Sequence, residues 1–238
     1  MIGAMKGYKV IIMVSEKISQ EKLQIIQAYG AQTVMCSATQ FIKDPESYHS
    51  VAHRLAQETP NSFIPNQYFN TLNATGHCNS LGAEVWRQTE GCITHFFAGV
   101  GTSGTISSTA KYLKERNPKI KVIGINAVNS LRATNGHPKP YKIEGIGIDF
   151  MFPILNYDVI DEIIAVSNEQ SLNMLPKLAR NWELLAGPGC GAVAIAVQQS
   201  AKQLSADVVA VMIFCNYGRA YLSKGFYGEP RHTCAIPT

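Results

Sequence analysis

Five consecutive residues, Gly101-Thr102-Ser103-Gly104-Thr105, combine two glycines with three hydroxyls. An apolar run from Ile93 to Ala98 leads into them and reads as a buried strand. A helical pattern from Ile106 to Arg116 leads out. Strand, glycine-rich turn and helix together present backbone N–H groups and the positive end of the helix to an anion. The glycines leave room for the backbone to approach, and the hydroxyls add donors. The guest expected of such a loop is a phosphate group. A nucleotide P-loop is excluded, because no Lys follows Gly104.

A second glycine-rich helix start, Gly187-Pro188-Gly189-Cys190-Gly191, offers a further polar-ligand contact. In Glu144-Gly145-Ile146-Gly147-Ile148, glycines inside an apolar run point to close backbone approach. His49 and His53 share a helical face at i, i+4, but no Glu stands between them and no third ligand is evident. That pair reads as a solvated helix surface, and no metal site is expected.

The elements that must position these residues alternate. Tyr8–Val14 and Gln32–Cys36 read as strands, with a helix between them capped by Ser19 and ended by Gly30. A helix from Pro45 to about Glu58 follows. The loop residues Thr59–Ser62 and Ile64–Asn66 mark a subdomain boundary, giving units 1–62 and 63–238. Asn73 or Thr75 is expected to cap the next helix, which ends at Gly91. Further strands are expected at Val122–Ile125, Val159–Val166 and Val208–Phe214. A helix from Ser167 or Asn168 to Trp182 and another from Ala192 to Ala201 complete the pattern, and the tail from Gly225 reads as irregular. The expected fold is α/β, three-layered, with a mostly parallel sheet and helices on both faces. Ligands of such sheets bind beyond the carboxyl ends of the strands, where the loop after Ala98 lies.

The chain has 238 residues, 46% of them hydrophobic and 16% charged, as a protein with a buried core requires. The net charge of +4 comes from scattered lysines and arginines, so no nucleic-acid partner is expected. No apolar run reaches membrane-spanning length and no signal segment is evident, so the reading is cytoplasmic without a membrane partner. The six cysteines form no C-x-x-C pair and are read as reduced thiols.

Several segments together resemble the pyridoxal-phosphate-dependent cysteine synthase and cystathionine β-synthase family, whose fold is tryptophan synthase β-like. Gln67-Tyr68-x-Asn70-x-x-Asn73 resembles Q-[FY]-x-N-x-x-N, and Gly82-Ala83-Glu84-Val85-Trp86 resembles T-G-P-E-[IL]-W. The loop ending at Thr105 resembles A-G-V-G-T-G-G-T, with Ser103 where the family has Gly. Glu144–Gly147 matches E-G-I-G, Leu184–Gly187 opens the last glycine-rich turn, and Tyr221-Leu222-Ser223 resembles R-Y-L-S. The resemblance implies that Gly101, Thr102, Ser103, Gly104 and Thr105 hold the phosphate of pyridoxal 5′-phosphate. It implies that Gln67, Gly145 and Gly147 serve the substrate, and that Gly189 lies at the cofactor where the family has a Ser. The implied reaction removes a leaving group from an activated serine and adds a nucleophile. The implied partners are a small amino-acid substrate and a second copy in a homodimer.

The family's Schiff-base lysine lies in an S-x-K-D-R segment, upstream of a T-S-G-N-T-G substrate loop. Met1–Tyr8 matches the end of the helix after that loop, so both segments are expected to lie outside these residues, leaving the smaller subdomain truncated. Lys6 and Lys9 match positions past the motif, and no residue is assigned as catalytic. Cys215-Asn216-Tyr217-Gly218 replaces the family's P-D-[SG]-G. Three readings stay open: part of a β-replacement synthase, inactive by itself; a non-catalytic paralogue that binds the cofactor or a phosphorylated metabolite; or a decayed fragment with no activity.

Overall fold

The structure is a computed structural model and describes residues 1–37, 43–148 and 153–228. The expected tail prolines, Pro230 and Pro237, and the sixth cysteine, Cys234, lie outside these residues.

A short helix α1 (Ile2–Met5) precedes strand β1 (Ile11–Ser15), helix α2 (Gln20–Ala28) and strand β2 (Gln32–Cys36). The Ser19 hydroxyl accepts from Lys22 N and starts α2, and Gly30 with φ +76° follows its last turn. β1 and β2 pair in parallel as a two-stranded sheet, with Ile11 opposite Gln32. Helix α3 (Tyr48–Glu58) starts later than Pro45 suggests, because Ser47 provides the cap by accepting from Ser50 N.

Helix α4 (Thr71–His77) is capped by Asn70 rather than by Asn73 or Thr75. Asn70 stands in an extended conformation with its side chain on Leu72 N, whereas Asn73 is turned to other partners. A π-turn, Cys78–Gly82, joins α4 to α5 (Ala83–Gln88). Gly82 has no room for a side chain, since a Cβ would stand 2.9 Å from Tyr112.

The larger sheet is parallel throughout, in the order β5-β4-β3-β6. Its strands are β3 (His95–Gly99), β4 (Lys121–Ala127), β5 (Glu162–Val166) and β6 (Ala210–Met212). Side chains alternate across β3. Phe96 and Ala98 pack with Val100, Ile106, Ala110 and Leu113 beneath helix α6 (Gly104–Arg116). Phe97 packs on the opposite face with Ile123, Ile125, Ala192, Val193 and Ala196, the last three from helix α8 (Pro188–Ser200). Both phenylalanines are fully buried, each contributing about 2–3 kcal/mol by removal from water.

Helix α7 (Asn168–Trp182) opens with a capping box between Ser167 and Gln170. It lies close against α8: a side chain on Gly191 would strike the Ser171 carbonyl, and the Ser171 hydroxyl donates to Pro188 O at 2.6 Å. Helix α8 starts at Pro188, earlier than the small-residue run suggests, because Pro is tolerated in a first turn where no N–H is needed. Helices thus cover both faces of the parallel sheet, as the alternation of elements requires.

Candidate active site

The loop after β3 turns on one unusual residue. Ser103 is buried, adopts φ +69°, and sits at the start of α6 without capping it. Its hydroxyl donates instead to Gly101 O, 3.4 Å away. Among the described residues, no side-chain cap is made to the first N–H groups of α6. The loop is clamped on both flanks. Val100 N donates to Ile125 O at 2.8 Å, and Gly147 N donates to Val100 O at 2.8 Å.

The second segment against this loop is 144–148. Gly145 has φ +87° and Gly147 φ +136°, conformations that side-chain-bearing residues rarely adopt. The segment is fixed through buried Asn126 at the end of β4, whose Oδ1 accepts from Ile148 N at 3.1 Å and from Ala127 N at 2.9 Å. A Cβ on Gly101 would come within 2.5 Å of Gly145 O, so the two backbones are in direct contact.

The third segment leads into α4. Asn73 Nδ2 donates to Gln67 O at 3.0 Å and approaches the Thr102 hydroxyl at 3.5 Å, tying the Gln67 turn to the glycine loop. Thr105 Oγ1 lies 3.4 Å from His77 Nε2. Burial holds the His77 imidazole below its ordinary value.

These three segments and β1–α2 enclose a cavity of about 680 Å3. Gln67, Gly101, Thr102, Gly145 and Gly147 all line it, together with Lys17, Lys22, Tyr68 and Glu144. Ser103, Gly104, Thr105 and Gly189 do not line it, although the first three continue the same loop into α6. Gly189 lies behind Gly145, with its absent Cβ position 2.9 Å from Asn216 Oδ1 and 3.4 Å from Glu144 O.

One cavity-lining group has no counterpart among the sequence expectations. Lys22 Nζ donates to Glu144 Oε2 at 2.6 Å and to the Tyr221 hydroxyl at 2.7 Å. Burial pulls the ammonium pKa down, but these two partners more than offset it, and the net shift is upward. Lys22 is therefore held as an ammonium. Tyr221 is completely buried and also accepts from Asn216 Nδ2 at 2.8 Å, and burial raises its phenol. Nothing local in the sequence marks this network, because its members stand 122 and 199 residues from Lys22.

The His49 and His53 rings meet tilted at 50°, with centroids 4.6 Å apart, and His49 also meets Phe69 at 6.1 Å. Burial lowers the His49 imidazole, so this face is partly packed rather than wholly solvated. Among the described residues, no group of three or more His, Cys, Asp or Glu side chains is arranged to hold a metal ion. Nor is any helix among them long and apolar enough to cross a membrane.

The pattern of the family described as "Pyridoxal-phosphate dependent enzyme" matches residues 1–216. The chain belongs to that family. Within it, the relatives lie among the cysteine synthases and cystathionine β-synthases. Cystathionine beta-synthase of Apis mellifera is 37% identical over 228 residues, which are 94% of this chain and 45% of the relative. A probable cysteine synthase of Bacillus subtilis (strain 168) is 36% identical over 230 residues, covering 95% of this chain and 73% of the relative. The crystal structure of an O-acetylserine dependent cystathionine beta-synthase from Helicobacter pylori superposes with a TM-score of 0.87 at 33% identity. That match covers 95% of this chain and 72% of the other. The fold is thus the tryptophan synthase β-like one expected, and the cofactor of the family is pyridoxal 5′-phosphate. The chain spans less than half the length of the Apis mellifera relative.

Proposed function

We propose that this chain binds pyridoxal 5′-phosphate in the 680 Å3 cavity and forms part of a β-replacement synthase of sulfur amino-acid metabolism. The observation that carries the reading is the start of α6: among the described residues its first N–H groups carry no capping side chain, and Gly101 and Thr102 just before it line the cavity. The residues present fit a phosphate ester on a flat ring. Gly101, Gly145 and Gly147 line the cavity without side chains, so bare backbone faces a guest there. Thr102 and Thr105 add hydroxyl donors to a helix end that favours negative charge.

In this reading Gly101, Thr102, Ser103, Gly104 and Thr105 hold the phosphate, with Ser103 acting through its backbone. Gln67, whose turn is held by Asn73, orients the carboxylate of an amino-acid substrate. Gly145 and Gly147 form the wall on which cofactor and substrate lie, and Gly189 stands behind that wall. Bound there, the cofactor supplies an electron sink for chemistry at the substrate's α-carbon. The protein's own part is to bind, orient and keep water out. Residues 1–62 act as a remnant of the smaller, substrate-side subdomain and 63–238 as the larger, cofactor-phosphate-binding unit, in a cytoplasmic homodimer.

A narrower reading follows from Lys22. Its amine is committed to Glu144 and Tyr221 as an ammonium, which is not nucleophilic. Lys22 is therefore not the amine that bonds to the cofactor, and in this reading the 238 residues by themselves bind the cofactor without a covalent bond and do not turn over an activated serine. Titration of purified protein with pyridoxal 5′-phosphate tests both parts. Saturable binding, competed by inorganic phosphate, with no pyridoxyl-lysine after borohydride reduction supports the reading. A pyridoxyl group on any lysine overturns the non-covalent part, and absence of binding overturns the whole.

A further inference from the structure

We propose that Cys190 and Cys215 form a redox-active thiol pair, which hydrogen peroxide closes to an intramolecular disulfide. The inference stands apart from the cofactor reading. It concerns the seam behind the cavity wall, where the start of α8 meets the segment after β6.

Backbone contacts hold these two segments together. Gly187 N donates to Asn216 O at 3.1 Å, Gly218 N donates to Leu185 O at 2.9 Å, and Ala186 and Tyr217 form an antiparallel bridge. Inside the seam, Cys190 Sγ accepts from Asn216 N at 3.4 Å and donates to Asn216 O at 3.3 Å. Asn216 N is bonded to the Cys215 carbonyl carbon, which places Cys190 Sγ within about 6 Å of Cys215 Cα. The two side chains meet across that gap, and the Cys215 thiol hydrogen-bonds to the Cys190 sulfur. Asn216 Oδ1, 2.9 Å from Cys215 Sγ, is the second acceptor of that thiol. Cys36 and Cys92 instead donate to carbonyls two residues away, those of Val34 and Glu90.

The two sulfurs are not equivalent. The hydrogen bond from Cys215 favours the ionised form of Cys190 and holds its thiol below the ordinary value against the opposing effect of burial. The same bond pushes the Cys215 thiol up. The pair therefore releases one proton readily and keeps the other between its sulfurs. Cys215 is exposed whereas Cys190 is buried, so the oxidant reaches Cys215 first. With the shared proton on Cys190, the Cys215 thiolate attacks the peroxide: an S–O bond forms, the O–O bond breaks and hydroxide leaves. The Cys190 sulfur then attacks the Cys215 sulfur: an S–S bond forms, the S–O bond breaks and a second hydroxide leaves. The two thiol protons turn both hydroxides into water. Two electrons pass from the sulfurs to the peroxide, and no further reactant is needed.

The test is peptide mapping by mass spectrometry of the whole chain after brief treatment with dilute hydrogen peroxide and alkylation of the remaining thiols. A crosslink between Cys190 and Cys215 within one chain is expected, with the intact mass lowered by two hydrogens and restored by dithiothreitol. It should form about tenfold or more faster in the folded protein than in urea, where the seam and its proximity are lost. Cys190→Ser is expected to halt at a sulfenic acid on Cys215, captured by dimedone. Cys215→Ser is expected to leave the buried Cys190 unoxidised. Both cysteines remaining open to alkylation, whatever happens at other thiols, overturns the proposal. So does a sulfinic acid on wild-type Cys215 without the crosslink. Should either variant not fold, the wild-type comparison decides alone: an equal rate of crosslinking in the folded and unfolded chain overturns the proposal.

Discussion

Ser103 carries the strain of the phosphate loop. Its φ of +69° is disfavoured for any residue with a Cβ, and among the described residues its hydroxyl makes only the long contact to Gly101 O in return. Ser103→Gly is therefore expected to raise stability by about 0.5–1 kcal/mol, after allowing for the greater freedom of glycine in the unfolded chain. A rise in the urea midpoint at unchanged slope would show it, and a fall would mean that the buried hydroxyl matters more than the backbone. Gly101 behaves in the opposite sense. Gly101→Ala drives a methyl group into the Gly145 carbonyl and pushes apart the two walls of the cavity. Affinity for pyridoxal 5′-phosphate and for inorganic phosphate should fall together, by roughly tenfold or more, the effect of about 1.4 kcal/mol or more of lost contact. Isothermal titration reads both ligands on one sample.

At the scale of elements, Asp161 fastens α6 to the sheet. Its carboxylate accepts from Val122 N at 2.8 Å at the start of β4 and pairs with Lys114 of α6 at 2.7 Å. Burial raises its pKa, but the Lys114 and Val122 hydrogen bonds more than offset that, and the net shift is downward from 3.8. A carboxyl depressed on folding stabilises the protein above its unfolded pKa and loses that contribution as the pH falls through the folded one. Asp161→Asn should cost about 1 kcal/mol at neutral pH, discounted for partial exposure, or about 3 °C in melting temperature. The gap between variant and wild type should narrow as the pH falls below 3.8, through the depressed folded-state pKa, in thermal melts. A gap independent of pH would assign the loss to packing instead.

The same scale shows what the amino-acid order makes legible. Strands β1 to β5 and the helices between them follow from apolar runs and local caps: Ser19, Ser167 and Gly30 act within a turn of where they stand. The start of α4 was less legible, because Asn70, Asn73 and Thr75 are all plausible caps by type. Contacts of their side-chain amides to the Pro65 and Gln67 carbonyls and to the Thr102 hydroxyl decide between the two asparagines. Glycines of the cavity wall were visible as glycines inside apolar runs. The Lys22–Glu144–Tyr221–Asn216 chain was not, since it joins four segments that only the tertiary fold brings together.

For the whole molecule, the division of labour between a small parallel pair, β1–β2, and the four-stranded sheet makes Lys22 a bridge across the cavity. Lys22→Met should lower stability by about 1–3 kcal/mol by leaving Glu144 and Tyr221 without their partner. Because the Lys22 pKa is raised on folding, the wild-type advantage should persist below pH 10.5 and fade above it, as differential melts across alkaline pH would reveal. Borohydride labelling at position 22 should be absent in both proteins, since the wild-type amine is paired with Glu144 and Tyr221.

Further threads run parallel to that bridge. The Ser19 hydroxyl donates to Ala220 O at 2.5 Å, the Glu21 carboxylate receives both Ser223 N and its hydroxyl at 2.6 Å, and Lys224 Nζ donates to Lys17 O at 2.6 Å. Each spans roughly 200 residues of sequence. On the ribosome, the segment that forms β1 and α2 emerges well before its partners. At ~5–20 residues per second, these early residues wait on the order of ten seconds or more before their stitches exist. Translation that stops short of residue 218 leaves them unfastened, a natural target for chaperones or proteases.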